Sequence, residues 1–396
     1  MRSLFLCLDV TGVSGYTAGM ILPFGGIAMQ ILRQSLSSLP ELLTALSVTR
    51  PLLVGRMPDT PVLSQAPVFH GYHENPDLSD CTALMDMFRA ENCDGLIAIG
   101  GGSCMDTAKA GKAMLLTEDP TALYEGAVQI AQDRSLPLIA VPTTAGTGSE
   151  ATQTAVVYVE NCKLSLSHPA LLPDAVILDP TVLRTLPPVQ KKVCALDALC
   201  QGIESFWCQG ATAESRRHAS VAILSVLEQF PAYLSGDPDA ERFMLRAAYE
   251  SGKAIQITRT TAAHAMSYIL TKTYGLPHGY ACSITLPALW RRLNHYTPCR
   301  QRMEDLQMLL GLKSADDGPL LFEGLLAWLA LPARPVLSDA DIRALLSCIN
   351  LQRLQNHPQP LTMDDCFSVY REAFTPDTKD HTADAVQLWR EYAGLY

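Results

Sequence analysis

The sequence predicts an α/β domain over residues 1–185 followed by an all-α domain over residues 186–396. Two short apolar runs without alternation, of the kind found in parallel sheets, each lead directly into a loop of glycines and hydroxyl residues. After Pro187 and Pro188 the strand signals become few, and apolar residues recur at helical spacing towards the C-terminus. A chain of 396 residues is long enough for two such domains.

The composition excludes several classes of protein. A hydrophobic fraction of 48% indicates a packed globular chain, and a net charge of −10 argues against a nucleic-acid partner, which would require a basic face. No apolar run reaches the roughly 20 residues of a membrane span. The 12 cysteines include no CxxC pair, so we expect reduced thiols and a cytoplasmic location. Asp9 and Gly12 interrupt the first apolar stretch, so we expect no export signal; residues 1–20 stay unassigned.

Residues 27–99 contain the first predicted elements. Apolar residues at helical spacing predict a helix over 27–46, broken at Pro40. A buried strand is predicted at 50–55, a weaker one at 67–69 and an amphipathic helix at 81–91. Residues 94–99 form the first of the two non-alternating apolar runs.

The loop after that run is the first candidate binding motif. Gly100, Gly101, Gly102 and Ser103 separate the predicted strand from a helix that begins at once. Glycines at this position let a phosphate approach the backbone, and the start of the helix offers free N–H groups. A tight turn without a ligand is an equally good explanation of this loop taken alone.

A second loop of the same kind follows the predicted strand 136–142. Residues 143–150, TTAGTGSE, combine hydroxyls with flexible backbone, which suits phosphate and ribose oxygens. Both loops lie at the carboxyl ends of predicted strands, where open α/β sheets bind ligands. Together they favour a dinucleotide over two empty turns.

The predicted helical domain contains a candidate metal site. His264 and His278 are separated by a break at Gly275 and Pro277, so two helices could direct both imidazoles at one point. Asp197 is a carboxylate in an apolar context, and it requires a cation if it is buried. Its neighbour four residues on, Gln201, shares its helical face and offers an amide oxygen. The alternatives are two core histidines bonded to backbone carbonyls and an aspartate paired with Lys or Arg.

Four motifs in a fixed order resemble the iron-containing, or group III, alcohol dehydrogenase family: GGGSCMDTAKA at 100–110, PTTAGTGSE at 142–150, DALCQGIES at 197–205 and HAMSY with PHG within 264–279. The resemblance covers about residues 50 to 290. It implies an α/β dinucleotide-binding domain, a helical domain and a catalytic divalent metal, Fe²⁺ or Zn²⁺, in the cleft between them. It also implies NADH or NADPH as cofactor and a homo-oligomer, in the first place a dimer.

The resemblance implies the following site residues. The metal ligands are Asp197, Gln201, His264 and His278. The cofactor residues are Gly100, Gly101, Gly102, Ser103, Asp106, Thr143, Thr144, Ser149 and Lys163. The catalytic residues are His264, His278 and Tyr268. Apart from the resemblance, Lys253 and Arg259 precede His264 on the same predicted helix and are predicted as cations for an anionic substrate, unless they are solvated or paired with Glu250 and Asp197.

Two departures from the family narrow the expected activity. Gln201 occupies the position where the family usually has a metal-ligating histidine. Tyr268 occupies the position where the family often has a further histidine near the substrate. Arg56 follows the first strand and suits a 2′-phosphate, which favours NADPH. The phrases DALCQGIESFW and GLPHGYA resemble the branch that contains phosphonoacetaldehyde reductases, and imply hydride transfer to a small anionic aldehyde. The alternatives are a dehydrogenase of another alcohol or anionic sugar acid, a non-redox lyase or cyclase on the same fold, and a binding protein that has lost catalysis.

Overall fold

The computed structural model describes residues 30–56, 61–125, 128–130, 135–160, 162–347, 349, 354–375 and 379–395. The N-terminal stretch on which we predicted no export signal, including residues 1–20, lies outside these ranges.

A six-stranded parallel sheet forms the centre of the N-terminal part. Its strands lie in the order β1-β8-β5-β4-β2-β3, and two further strands, β6 and β7, form a separate antiparallel hairpin. In chain order the strands are β1 Ile31–Arg33, β2 Pro51–Gly55, β3 Val68–Phe69, β4 Gly95–Gly100, β5 Leu138–Pro142, β6 Thr154–Val159, β7 Cys162–Ser167 and β8 Ala175–Ile177. The central strands β2, β4 and β5 are buried along their whole length, which explains why their sequences do not alternate.

Three helices pack with this sheet: α1 Leu39–Ala45, α2 Leu78–Ala90 and α3 Gly102–Leu116. The strand and helix predictions over residues 50–116 are confirmed to within a few residues. The predicted helix over 27–46 is wrong over residues 31–33, because Ile31 pairs in parallel with Ala175 of β8; residues 27–29 lie outside the described ranges. Pairing at the sheet edge has overridden the local helical spacing, and a helix begins only at Leu39.

Helices account for the remaining regular structure that is described. They are α4 Pro188–Trp207, α5 Ala213–Leu234, α6 Pro238–Thr258, α7 Ala262–Tyr274, α8 His278–His295, α9 Arg300–Leu309, α10 Asp317–Leu329, α11 Asp339–Leu346, α12 Met363–Phe374 and α13 Lys379–Ala393. Helix α4 is buried from Val193 to Trp207 and lies at the centre of the main hydrophobic cluster. An α/β part followed by a helical part is therefore the observed architecture, as predicted. The boundary near residue 185 stays a prediction.

The helical part contacts the glycine-rich loop after β5 very closely. A Cβ added at Gly252 of α6 would lie 2.3 Å from the carbonyl oxygen of Gly148, and Gly148 itself has a positive φ of 60°. Only glycine permits this approach. A Cβ added at Gly146 of the same loop would lie 2.9 Å from the carbonyl oxygen of Cys194 on α4, so the loop after β5 also lies beside the helix that carries Asp197. Among the described residues, no helix combines the length and the apolar character needed to cross a membrane.

Candidate metal and nucleotide site

Four potential metal-ligating side chains meet where α4, α7 and α8 come together. Asp197 lies on α4, His264 on α7, and His278 and Cys282 on α8, and their ligand atoms all lie within 4.8 Å of one another. The Oδ1 atom of Asp197 is 3.3 Å from Nε2 of His264 and 3.8 Å from Nε2 of His278. The predicted break between the two histidines is confirmed: α7 ends before Gly275, and α8 begins after Pro277.

Close packing of α8 on α4 brings these groups together. A Cβ added at Gly279 would lie 2.0 Å from the carbonyl oxygen of Val193 and 2.9 Å from Cβ of Asp197. A larger residue at 279 would separate the two helices. The glycine directly after His278 therefore sets the distance between the imidazole and the carboxylate.

A second carboxylate, Glu204 on α4, contacts the ring nitrogen of His264 that does not face Asp197. Its Oε2 contacts Nδ1 of His264, while its Oε1 accepts hydrogen bonds from the backbone N–H of Ala263 (2.9 Å) and the hydroxyl of Thr261 (2.6 Å). Glu204 is fully buried. Because Nδ1 faces the carboxylate of Glu204, it carries a proton, and Nε2, which donates to Asp197, is the ring nitrogen that can bind a metal once its own proton is displaced.

In this cluster the charged forms stabilise one another: the pKa of His264 is raised and that of His278 is raised to about 9, so a metal must displace a proton from each imidazole. Burial alone would raise the pKa of Asp197, but the hydrogen bond from His264 and the charge of His278 hold it below its usual value. Burial likewise opposes ionisation of Cys282, yet the two imidazoles beside it lower its thiol pKa to about 7. Carboxylate oxygen, imidazole nitrogen and thiolate sulfur are all donors for zinc or iron(II), so the side chains present fit a divalent metal.

The two predicted phosphate-type loops lie against each other. Gly101 precedes the first turn of α3, and the N–H of Thr143 donates to the carbonyl of Gly100 at 2.9 Å. A Cβ added at Gly101 would lie 3.2 Å from the methyl group of Thr144. The hydroxyl of Ser103 accepts a hydrogen bond from the N–H of Asn75 at 3.2 Å. The start of α3 and the loop after β5 thus form one surface.

A buried lysine that the sequence analysis did not identify fixes the second loop. Lys109 donates to the carbonyl oxygen of Ser149 at 2.5 Å and to its hydroxyl at 2.8 Å, and that hydroxyl lies 3.1 Å from Oδ1 of Asp106. Burial lowers the pKa of Lys109 to about 8 and raises that of Asp106 to about 6. Two predicted cofactor residues, Asp106 and Ser149, are therefore hydrogen-bonded to each other within the protein. Their assignment to the cofactor stays a prediction.

The hairpin of β6 and β7 places a lysine beside the metal-ligand cluster. The Nζ atom of Lys163 lies 3.3 Å from the centre of the Tyr268 ring. Tyr268 in turn stacks on His278, with ring centres 5.7 Å apart and planes inclined by 11°. Tyr268 thus contacts both Lys163 and His278, which sequence spacing alone does not imply.

The other predicted residues lie as follows. Gln201 is buried; its Oε1 accepts from the hydroxyl of Ser251 at 2.9 Å, and its Nε2 donates to the carbonyl of Thr147 at 3.3 Å. Lys253 is half-buried, directly after the glycine of α6 that touches the second loop.

Arg259 ends α6 with a positive φ of 61° and is exposed. The residue before it, Thr258, bonds to Ser205, which is about 12 Å along α4 from Asp197 at 1.5 Å per residue. The predicted pairing partners are engaged elsewhere: Glu250 with Arg246, and Asp197 with the histidines. The roles of Lys253 and Arg259 stay predictions.

Comparison with known proteins agrees with this geometry. The profile described as "Iron-containing alcohol dehydrogenase" matches residues 31–180, and that described as "Fe-containing alcohol dehydrogenase family, C-terminal" matches residues 193–374. This chain belongs to the iron-containing alcohol dehydrogenase family.

Several known proteins resemble this chain in part or throughout. A phosphonoacetaldehyde reductase of Streptomyces viridochromogenes is 39% identical over 57% of this chain and 60% of its own length. A probable alcohol dehydrogenase, EutG of Escherichia coli, is 34% identical over 61% of this chain and 62% of its own. These matches span less than two thirds of either relative. The structure of sulfoacetaldehyde reductase from Bifidobacterium kashiwanohense in complex with NAD⁺ matches at a TM-score of 0.79 and 26% identity, over 91% of this chain and all of that one.

Three residues of the site were not predicted from the sequence. Cys282, Glu204 and Lys109 are all buried, and none was assigned a role. One signal was available for Cys282, because it follows His278 by four residues and shares its helical face. For Glu204 and Lys109 we find no comparable signal, since their partners are tens of residues away along the chain.

Proposed function

We propose that this chain is a metal-dependent NAD(P)H oxidoreductase that reduces a small anionic aldehyde to an alcohol. Phosphonoacetaldehyde, reduced to 2-hydroxyethylphosphonate, is the best candidate substrate. The observation that carries the proposal is the convergence of Asp197, His264 and His278 beside two glycine-rich loops at the carboxyl ends of β4 and β5. Hydride transfer to a carbonyl group requires the metal site and the dinucleotide site to be next to each other, because the hydride donor must reach the carbonyl carbon.

Asp197, His264 and His278 are the groups that we propose to hold the metal. Gln201, predicted as a fourth ligand, has its amide engaged with Ser251 and Thr147, and its role as a ligand stays a prediction. A divalent metal bound here would supply a Lewis acid that polarises the aldehyde oxygen. Glu204 keeps His264 in the tautomer that this binding needs.

The cofactor is proposed to lie on the surface formed by the two loops. The first turn of α3 directs free N–H groups towards a pyrophosphate, and Thr143 and Thr144 line the neighbouring edge. A bound nicotinamide would supply the hydride. The chain's contribution is to fix the dinucleotide, and the hydrogen bonds of Lys109 to Ser149 hold the second loop for this purpose.

Lys163 is proposed to recognise the anionic end of the substrate. Its ammonium group lies over Tyr268, which stacks on a proposed metal ligand. The names of two relatives support an anionic substrate, since phosphonoacetaldehyde and sulfoacetaldehyde are both two-carbon aldehydes with a tetrahedral anionic group. We further propose that the phenol oxygen of Tyr268 donates the proton that the product alcohol requires.

The test is a reduction assay with purified, metal-reconstituted protein. NADPH and then NADH are supplied with phosphonoacetaldehyde, sulfoacetaldehyde or the neutral, isosteric tert-butylacetaldehyde, and cofactor absorbance is followed. We expect metal-dependent oxidation of the reduced cofactor that is fastest with phosphonoacetaldehyde and is abolished in His264→Ala. Equal rates with the neutral aldehyde would contradict an anionic substrate. Turnover without net consumption of reduced cofactor would instead support the non-redox lyase or cyclase.

A further inference from the structure

Cys282 is the member of the ligand cluster for which the proposed function has no role. It is fully buried on α8, one turn after His278, and its Sγ lies 3.8 Å from both ring nitrogens of that histidine. Its sulfur lies within 4.8 Å of the ligand atoms of Asp197 and His264 as well. A buried thiol is usually an inert core residue; Cys282 also belongs to the main hydrophobic cluster, but its sulfur lies beside three potential metal ligands.

Three separations between donor atoms of the cluster are close to those of a tetrahedral site. Bonds of about 2.0–2.1 Å to nitrogen or oxygen and about 2.3 Å to sulfur place tetrahedral ligand atoms roughly 3.3–3.6 Å apart. The observed separations are 3.3 Å from Asp197 to His264, 3.8 Å from Asp197 to His278 and 3.8 Å from His278 to Cys282. Small side-chain movements would therefore bring all four atoms onto one ion.

Gln201, by contrast, is engaged in other contacts. Its carbonyl oxygen accepts from Ser251, and its amide nitrogen donates to the carbonyl of Thr147 in the second nucleotide loop. With both ends of its amide engaged, Gln201 would have to give up a hydrogen bond to reach the metal. Gln201 links α4 to the nucleotide loop.

We propose that Cys282 is the fourth protein ligand of the metal, so that the site is formed by one carboxylate, two imidazoles and one thiolate. This inference rests on the metal site of the proposed function. A thiolate is a softer ligand than imidazole, so the site selects Zn²⁺ over Fe²⁺ more strongly than an all-nitrogen-and-oxygen site would. Four protein ligands leave a fifth position for substrate, because zinc sites can expand to five-coordination.

The experiment is titration of the metal-free protein with Co²⁺, without substrate or cofactor. Thiolate bound to Co²⁺ gives an intense near-ultraviolet charge-transfer band, which carboxylate and imidazole ligands do not give. We expect this band at one Co²⁺ per chain in the unaltered protein, and we expect it to be lost in Cys282→Ser and Cys282→Ala. Cys81→Ser is the matched control, because Cys81 is also fully buried but lies on α2, and it should keep the band.

Zn²⁺ affinity, measured by competition with a chelator, provides the second readout. Removing an outer partner of a ligand typically costs about 10–100-fold, so removing the ligand Cys282 should cost at least that much. Gln201→Ala should retain the band. Co²⁺ binding without the band in the unaltered protein, or a band lost in Gln201→Ala and kept in Cys282→Ser, would overturn the role of Cys282 and leave the metal site standing. Failure to bind Co²⁺ at all would overturn both the ligand and the metal-dependent function.

Discussion

The carboxylate of Glu204 lies against Nδ1 of His264, and its other oxygen accepts hydrogen bonds at the start of the helix that carries this histidine. One side chain thus fixes both the ring orientation and the position of α7. Because Glu204 is fully buried, water cannot take over either contact.

We expect Glu204→Gln to weaken metal binding about 10–100-fold. The amide keeps an oxygen that can accept from Ala263 and Thr261, so the helix start is retained, but it offers His264 a neutral partner. Affinity is measured by competition with a chelator, and folding by circular dichroism. A variant with unchanged affinity would show that Glu204 serves only the helix start.

Lys163→Met should raise the KM for an anionic aldehyde about 10–100-fold, the effect of losing a charged hydrogen bond worth about 1.5–3 kcal/mol. The methionine keeps the apolar stem over Tyr268 and removes the charge. The KM for tert-butylacetaldehyde and the Kd for the dinucleotide should not change. The control is Lys272→Met, an exposed lysine in the last turn of α7. A rise in the dinucleotide Kd alone would support the cofactor role that the sequence predicts for Lys163.

Arg56→Gln tests the predicted preference for NADPH. Arg56 lies directly after β2, and its N–H donates to Ile99 near the end of β4 at 3.0 Å, beside the first glycine loop. We expect NADPH to bind about 10–100-fold more weakly, for the loss of one charged hydrogen bond, and NADH to bind as before. Arg50→Gln, at the opposite end of β2, is the control. Equal losses for both cofactors would show that Arg56 does not read the 2′-phosphate.

The sequence allowed prediction of those parts of the site that depend on local motifs. The glycine loop at 100–103 follows a buried strand, and Asp197, His264 and His278 stand at family positions, so each could be found without knowledge of the fold. Their placement at one cleft was implied by the resemblance to the family, and the rule that ligands bind at the carboxyl ends of parallel strands applied only to the two loops.

The remaining parts depend on contacts between distant residues. Glu204 meets His264 across 60 positions of the chain, and Lys109 meets Ser149 across 40. Cys282 has small, apolar neighbours in sequence and looks like an ordinary core thiol. The helix predicted at 27–46 was wrong for the same reason, because the partner of Ile31 is Ala175.

The contribution of Glu150 to stability should fall as the pH rises through the titration of this group. This carboxyl group is 2% exposed, its Oε1 has no hydrogen-bond partner among the described residues, and burial raises its pKa to about 7. Between pH 4.5 and 7 the folded state therefore binds more protons than the unfolded state, which makes folding less favourable as the pH increases. The charge of Lys109 opposes this effect only in part.

Glu150→Gln removes this titration and should be the more stable form above pH 7, by on the order of 3 kcal/mol at most. Near pH 4 the two proteins should be about equally stable. Urea unfolding at the two pH values provides the measurement. A stability difference that does not depend on pH would show that Glu150 ionises as readily in the folded chain as in the unfolded one.

Gly252→Ala should destabilise the contact between α6 and the second nucleotide loop. Alanine is the better helix former by about 1 kcal/mol, so an isolated α6 would gain stability. The added Cβ would, however, lie 2.3 Å from the carbonyl oxygen of Gly148, which belongs to the backbone and cannot turn away as a side chain can. Overpacking of this kind costs about 1–3 kcal/mol, so we expect net destabilisation together with weaker dinucleotide binding.

Calorimetric unfolding and titration with NADH measure the two effects of Gly252→Ala. Gly210→Ala is the control, since the nearest atom to its added Cβ is 3.9 Å away. A stabilised Gly252→Ala protein that binds NADH normally would mean that α6 and the loop separate without cost, and that this close contact does not position the cofactor site.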